Sequence, residues 1–320
     1  MLTGLTEKVL RGELLSKVDA HLLAYPEESG PFRLFCAAAE IRERFRGRNV
    51  DLCAVVNAKS GACPEDCSYC AQSTQSKAEI PVYPLMKRDE VIKMALEARD
   101  AGVRRFSIVT SGRKVGKGEL REIGLMVQEV RRIGLLPCAS LGLLDGEEFS
   151  LLMEKGLDRY HHNLETSERF FPEICSTHAY GDKLRTIEAA RKIGLSVCSG
   201  GIFGLGESWQ DRIDMAFVLR ELEVDSVPVN FLIAVKGTPL EAQAPLHPFE
   251  ALKIISIFRF IMPGNEIRVC GGRRQNLGEF NSFVFMAGAD SLLTGNYLTT
   301  RGTPYKDDLR LIQHYGLSIN

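Results

Sequence analysis

The alternation of short β-branched runs with amphipathic helical stretches constrains this chain more than any other feature. Candidate strands lie at 52–57, 105–110, 136–141, 159–165, 195–202, 226–233, 266–271 and 291–295. Helical patterns fill most of the intervals, at 88–101, 118–133, 180–193, 209–222 and 248–261. Gly102, Gly134 and Gly194 each stand between a helix and the next strand, as C-caps do. Strands joined by helices pair in parallel, because a parallel crossover takes a dozen or more residues. Eight such units in roughly 250 residues match the (βα)8 prescription. An open doubly wound sheet would want a glycine-rich loop after the first strand, and cysteines follow Asn57 instead. The expected fold is therefore α/β, a (βα)8 TIM barrel forming one domain over 1–320. Residues 1–48 are expected to form an N-terminal helical segment packing on the barrel.

Composition narrows the partners. The formal net charge is -1 with 25% charged residues, so neither a nucleic acid nor an anionic membrane surface is expected, and small molecules are. The N-terminus carries Glu7, Lys8, Arg11, Glu13 and Lys17 among its apolar residues, which is an amphipathic pattern and not an export signal. The longest apolar stretch, 252–262, contains Lys253 and Arg259 and is too short to span a bilayer. A soluble, cytoplasmic protein is expected. In a reducing compartment nine cysteines point to metal binding or chemistry more than to disulfides.

Directly after the first candidate strand, Cys63, Cys67 and Cys70 follow Cys-x3-Cys-x2-Cys spacing, with Tyr69 before the last. Four-iron clusters normally take four cysteines, so three in one loop would leave an iron open to an exogenous ligand. A zinc staple is the competing reading, but it wants a second cysteine pair or a downstream histidine pair. Cys138, Cys198 and Cys270 each fall inside a candidate strand. They read either as small hydrophobes of the barrel wall or as ligands converging on a second cluster. Cys36, Cys53 and Cys175 lack such context and read as packing or surface residues.

The three-cysteine loop resembles the signature of the radical S-adenosylmethionine superfamily. That resemblance implies a 4Fe–4S cluster on Cys63, Cys67 and Cys70, with S-adenosylmethionine chelating the open iron and Tyr69 near the adenine. Longer motifs resemble the biotin synthase family: Tyr160-His-His-Asn163-Leu-Glu165-Thr, Cys198-Ser-Gly-Gly-Ile-Phe-Gly-Leu-Gly-Glu207, Ser226-Val-Pro-Val-Asn230-Phe-Leu and Lys236-Gly-Thr-Pro-Leu. The likeness runs from about Pro31 to the C-terminus. Hydrogenase-maturation and methylornithine-forming enzymes share the first loop but give no reason for cysteines on the third, fifth and seventh strands.

The family resemblance implies that sulfur enters dethiobiotin at unactivated C–H positions, opened by 5′-deoxyadenosyl radicals, with an auxiliary iron–sulfur cluster as sulfur donor. Biotin synthases usually hold a 2Fe–2S cluster there with three cysteines and an arginine. Cys138, Cys198 and Arg268 match that set. The third cysteine position is Ser107, and Cys270 appears two residues after Arg268, on the same strand face by period-two alternation. Cys138, Cys198 and Cys270 are thus the expected auxiliary set, favouring a 4Fe–4S-type cluster with an extra sulfide over 2Fe–2S. The resemblance further assigns Asn163, Glu165 and the Gly200-x-Ile202-x-Gly204 stretch to S-adenosylmethionine. It assigns Asn163, Asn230 and Thr299 to dethiobiotin, along with His161, where the family more often has Asn. A flavodoxin- or ferredoxin-type electron donor and a homodimer are also implied.

Overall fold

The computed structural model describes residues 1–25 and 30–319. Three helices come first, α1 (Leu2–Leu10), α2 (Lys17–Ala24) and α3 (Gly30–Arg46). The remaining order is β1 (Asn49–Lys59), α4 (Arg88–Asp100), β2 (Arg105–Thr110), α5 (Lys117–Arg132), β3 (Leu136–Ser140), α6 (Gly146–Glu154), β4 (Arg159–His161), α7 (Tyr180–Lys192), β5 (Ser196–Cys198), β6 (Gly201–Phe203), α8 (Trp209–Glu221), β7 (Ser226–Phe231), α9 (Pro248–Ile261), β8 (Glu266–Val269), α10 (Arg273–Leu277), β9 (Ser291–Leu293), α11 (Tyr305–His314) and β10 (Ser318–Ile319). All ladders are parallel, and β1 pairs with both β2 and β9, so the sheet closes. β5 and β6 are two pieces of one stave, each paired to β7, which makes eight staves. The expected barrel is the observed fold.

The five helices expected from periodicity are present within a residue or so of their predicted ends, and the glycines read as caps after three of them, Gly102, Gly134 and Gly194, take positive φ. Of the N-terminal segment, α2 packs on α8 and α9, and α3 packs on α9. Residues 26–29 of that segment lie outside the described residues.

Period-two alternation divides each stave between two environments. On β1, Val50, Leu52, Ala54 and Val56 are buried among the apolar residues of the helical layer. Asp51, Cys53, Val55 and Asn57 take the other face, toward the barrel axis. The same split places Arg105 and Ser107, Cys138, Arg159 and His161, Cys198, and Glu266 and Arg268 inside. The lower interior is an ionic plug. Arg159 donates to Glu266 at 2.9 Å, and Arg268 donates to Asp51 at 3.0 Å and also to Glu266. Arg105 bonds to Asp158 and lies 3.5 Å from Asp51. Such a set is stable only when every charge keeps its partner, because each alone would be a desolvated ion.

Helix α8 shows how the loops at the strand ends are anchored. Its N-cap Ser208 accepts from the Asp211 N–H, and Asp211 accepts in return from the Ser208 N–H at 2.9 Å. Asp211 also accepts from the hydroxyls of Ser167 and Ser208, both at 2.6 Å, and from Arg169. Burial pushes its pKa up, but these donors outweigh burial and hold it below the ordinary range. A depressed carboxylate stabilises the fold above its unfolded pKa and loses that contribution as pH falls through its folded one. Asp211→Asn is therefore expected to lower stability by about 2 kcal/mol at neutral pH. Thermal midpoints measured across pH should show the gap to the parent narrowing below about pH 4; a gap constant with pH contradicts the charge argument.

Candidate active site

The carboxyl ends of the staves enclose a cavity of about 410 Å³, a volume in the range of small-molecule sites. Cys63, Tyr69 and Cys70 line it together with His161, Asn163, Glu165, Ile202, Asn230 and Thr299. The structure thus brings most of the residues singled out from sequence to one place. Gly200, Gly204 and Cys67 do not line it.

The cysteine loop leaves β1 through Ala62, whose φ of +50° marks a forced turn. Cys63 donates its N–H to Gln72 and accepts from Thr74 N–H, while Cys70 N–H closes a turn on Cys67 at 2.9 Å. The loop is then stapled to residues 174–178. Asp66 accepts from the N–H groups of Ser176 and Thr177 at 2.9 and 3.2 Å, and Ser68 N–H reaches Ile174. Cys67 donates to Cys175 across 3.7 Å, which pulls the Cys175 thiol down to about 4 and lifts that of Cys67. Cys175 was read as a packing or surface residue from sequence. The hint in the chain is its i+3 neighbour, His178.

Asn163 and Asn230 are straps between strand ends. Asn163 accepts from Gly200 N–H at 3.2 Å and donates to Glu165 at 3.3 Å. Asn230 accepts from Gly271 N–H and donates to Gly201 C=O, both at 3.1 Å. Each amide keeps further bonding capacity toward the cavity. Glycine is required at 200, where a Cβ would sit 2.1 Å from Pro228 O. Gly204 and Leu205 are held by Glu207, which accepts from their N–H groups at 3.0 and 2.7 Å and from Arg212 at 2.7 Å. Glu207→Gln removes one acceptor from this cradle. It is expected to lower the unfolding free energy by about 2 kcal/mol; an unchanged thermal midpoint contradicts the strapping role. Lys183, which sequence reasoning passed over, lines the cavity and donates to Asn163 C=O at 3.1 Å.

Below the cavity, Cys138, Cys198 and Cys270 are all buried within the barrel. Ser107 stands opposite Cys138 in the ladder, and its buried hydroxyl has no partner among the described residues. Cys53 joins this group and was not found from sequence. Its thiol is pushed up to about 12 by burial, with Arg268, Cys138 and Cys198 among the charges acting on it. Burial also raises Cys138 and Cys270. Cys198 differs: burial pushes it up, but His161, Arg268 and Arg159 bring it down to about 7. His161 is opposite Cys198 in the ladder, and although burial lowers its pKa, Cys198 raises it overall. Nε and Nη2 of Arg268 are engaged by Ser291, Asp51 and Glu266.

Both donor sets fit iron–sulfur ligation. Cys63 and Cys70 offer thiols at the mouth, with Cys67 turned to Cys175, and the buried inner thiols lie among the guanidinium groups of the plug, surroundings that suit anionic sulfur ligands. The Radical SAM superfamily model matches residues 58–219, and the Biotin and Thiamin Synthesis associated domain matches 228–318. The chain is 52% identical over 313 residues to a biotin synthase of Thermodesulfovibrio yellowstonii, covering 97% of this chain and 99% of that one. It is 48% identical to a biotin synthase of Desulfatibacillum aliphaticivorans, covering 98% and 96%. Among solved structures, methylornithine synthase superposes with a TM-score of 0.84 at 23% identity, covering 99% of this chain and 97% of that one. An FeFe-hydrogenase maturase of Carboxydothermus hydrogenoformans also gives 0.84, at 16% identity, covering 99% and 79%. These two structures attest the barrel, and the sequence relatives decide the family: the chain belongs to the biotin synthases, within the radical S-adenosylmethionine enzymes.

Proposed function

We propose that this chain converts dethiobiotin to biotin, holding the reacting molecules in the cavity and the sulfur source among the barrel thiols beneath it. The observation that carries this reading is a cavity lined by Cys63 and Cys70 and by Ser140, His161 and Gly271, which neighbour the buried Cys138, Cys198 and Cys270 along or across the staves. Unactivated C–H bonds are beyond side-chain bases, whose pKa values lie far below those of alkanes. When bound, the cluster on Cys63, Cys67 and Cys70 supplies the electron that cleaves S-adenosylmethionine to methionine and a 5′-deoxyadenosyl radical.

The remaining work falls to the chain. Tyr69, Glu165 and Ile202 border the space for the nucleoside, with Gly200 and Gly204 shaping the backbone beside it. Asn163, Asn230 and His161 offer amide and imidazole groups suited to a cyclic urea, and Thr299 a hydroxyl for the carboxylate end. Cys138, Cys198 and Cys270 hold the auxiliary cluster, with Cys53 a fourth thiol on the same face. Replacement of the usual cysteine by Ser107, beside these four thiols, favours a 4Fe–4S-type cluster over 2Fe–2S. Arg268, already spent on Asp51, Glu266 and Ser291, supports the set by charge more than by ligation.

The one-domain reading of 1–320 rests on the closed barrel, whose staves are divided between the two family regions. A flavodoxin- or ferredoxin-type donor, a homodimer and a cytoplasmic location complete the proposal. Among the described residues no helix is long and apolar enough to cross a membrane. The reconstituted protein, supplied anaerobically with dethiobiotin, S-adenosylmethionine and a reductant, is expected to release biotin together with methionine and 5′-deoxyadenosine. Release of 5′-deoxyadenosine with no sulfur-containing product overturns the assignment.

A further inference from the structure

Cys175 and His178 have no part in the chemistry above, yet they reach the cysteine loop from the far side of Cys67. The Cys175 Sγ lies 3.7 Å from the Cys67 Sγ, 3.2 Å from His178 Nδ1 and 4.0 Å from His178 Nε2. Ligand atoms of Cys67, Cys175 and His178 all fall within 4.8 Å of one another. Two thiolates on a tetrahedral ion at about 2.3 Å stand roughly 3.8 Å apart, and a thiolate and an imidazole about 3.5 Å. The thiol–thiol spacing is that of a donor set, and Nε2 at 4.0 Å needs to approach Cys175 by about 0.5 Å to complete it. Glu65 gives a second, independent sign. Its Oε2 lies 2.5 Å from His178 Nδ1; by accepting the Nδ1 proton it leaves the Nε2 lone pair for a metal, the usual support of a ligating histidine. Three protein donors leave a fourth position open, as in sites that exchange what they bind.

We propose that the cluster-free protein binds one thiophilic divalent metal ion through Cys67, Cys175 and His178, and that ferrous iron docks there first during cluster assembly. Binding displaces the thiol protons and changes no oxidation state. Cys67 belongs to both ligand sets, so the ion is handed on when Cys67 joins Cys63 and Cys70. Only this loading role rests on the reading of the loop as a cluster site; the binding does not.

The test uses the full-length chain stripped of iron and titrated anaerobically with Co²⁺. One ion per chain is expected, with tetrahedral d–d absorption and thiolate-to-cobalt charge transfer, both kept in a Cys63→Ser/Cys70→Ser double variant. Cys175→Ser and His178→Ala should each weaken binding at least about tenfold, and Glu65→Gln about 10- to 100-fold. A spectrum that survives Cys175→Ser and His178→Ala, or that vanishes in the double variant, overturns the site by placing the ion in the three-cysteine loop. For the loading role, Cys175→Ser should slow iron–sulfur reconstitution while reaching the same final iron content. Equal rates overturn that role, whatever the biotin assay reports.

Discussion

Cys198→Ala is expected to abolish biotin formation while 5′-deoxyadenosine release continues. Cys198 is buried inside the barrel, away from the loop that carries Cys63, Cys67 and Cys70, so its loss leaves the radical-generating site intact. It is also the inner thiol best prepared to be a thiolate. Burial alone would push it up, yet His161 and the guanidiniums of Arg268 and Arg159 bring it down to about 7. Alanine removes that sulfur, and iron and sulfide analysis should show the auxiliary content gone with the loop cluster retained. A Cys198→Ala protein with full auxiliary iron and undiminished biotin formation contradicts the ligand assignment. Cys270→Ala is subject to the same two readouts.

The second large effect is on stability. Arg268 is nearly inaccessible and donates to Asp51, Glu266 and Ser291 at once. Methionine fills much of its volume but leaves Asp51 with Arg105 at 3.5 Å as its nearest cation, and Glu266 with Arg159 alone. Breaking a buried ionic set from one side costs about 3–5 kcal/mol, because the abandoned charge stays desolvated. Arg268→Met is therefore expected to lower the unfolding midpoint in denaturant strongly. Adding Asp51→Asn should recover part of that loss, since Asp51 is the carboxylate left without a close cation, whereas Glu266 keeps Arg159. If the double variant is less stable than the single one, the plug is not organised by this charge balance.

The barrel was legible because β–α alternation and glycine caps are local signals, and the five periodic helices appear where they were expected. Strand ends were less legible. The sequence reading extended this strand to Glu165, but the ladder stops at His161. The N–H groups of Leu164 and Glu165 both turn to Gly200 C=O, and Glu165 takes a φ of +74°. The 195–202 run breaks at Ser199 and Gly200, where Pro228 comes too close for any side chain at 200. The two-residue β10, which pairs with Asn49 and Val50, carries no sequence pattern at all.

The same divide runs through the site. Cys63, Cys67 and Cys70 announce themselves by spacing within one loop. Cys53 sits between Leu52 and Ala54 and reads as core, and only the closed register turns it toward Cys138 and Cys198. Cys175 is 108 residues from Cys67 in sequence, and Asp66 ties its segment to the loop. Non-local contacts of this kind leave no periodicity to read.

A sulfur source held by the barrel thiols would be consumed as biotin forms. Mössbauer spectroscopy with iron and sulfide quantification, before and after turnover with dethiobiotin and S-adenosylmethionine, tests it most directly. Two cluster signals are expected before turnover, with the auxiliary one disappearing in proportion to biotin formed. A single 4Fe–4S signal, or a second signal that persists as biotin accumulates, contradicts it.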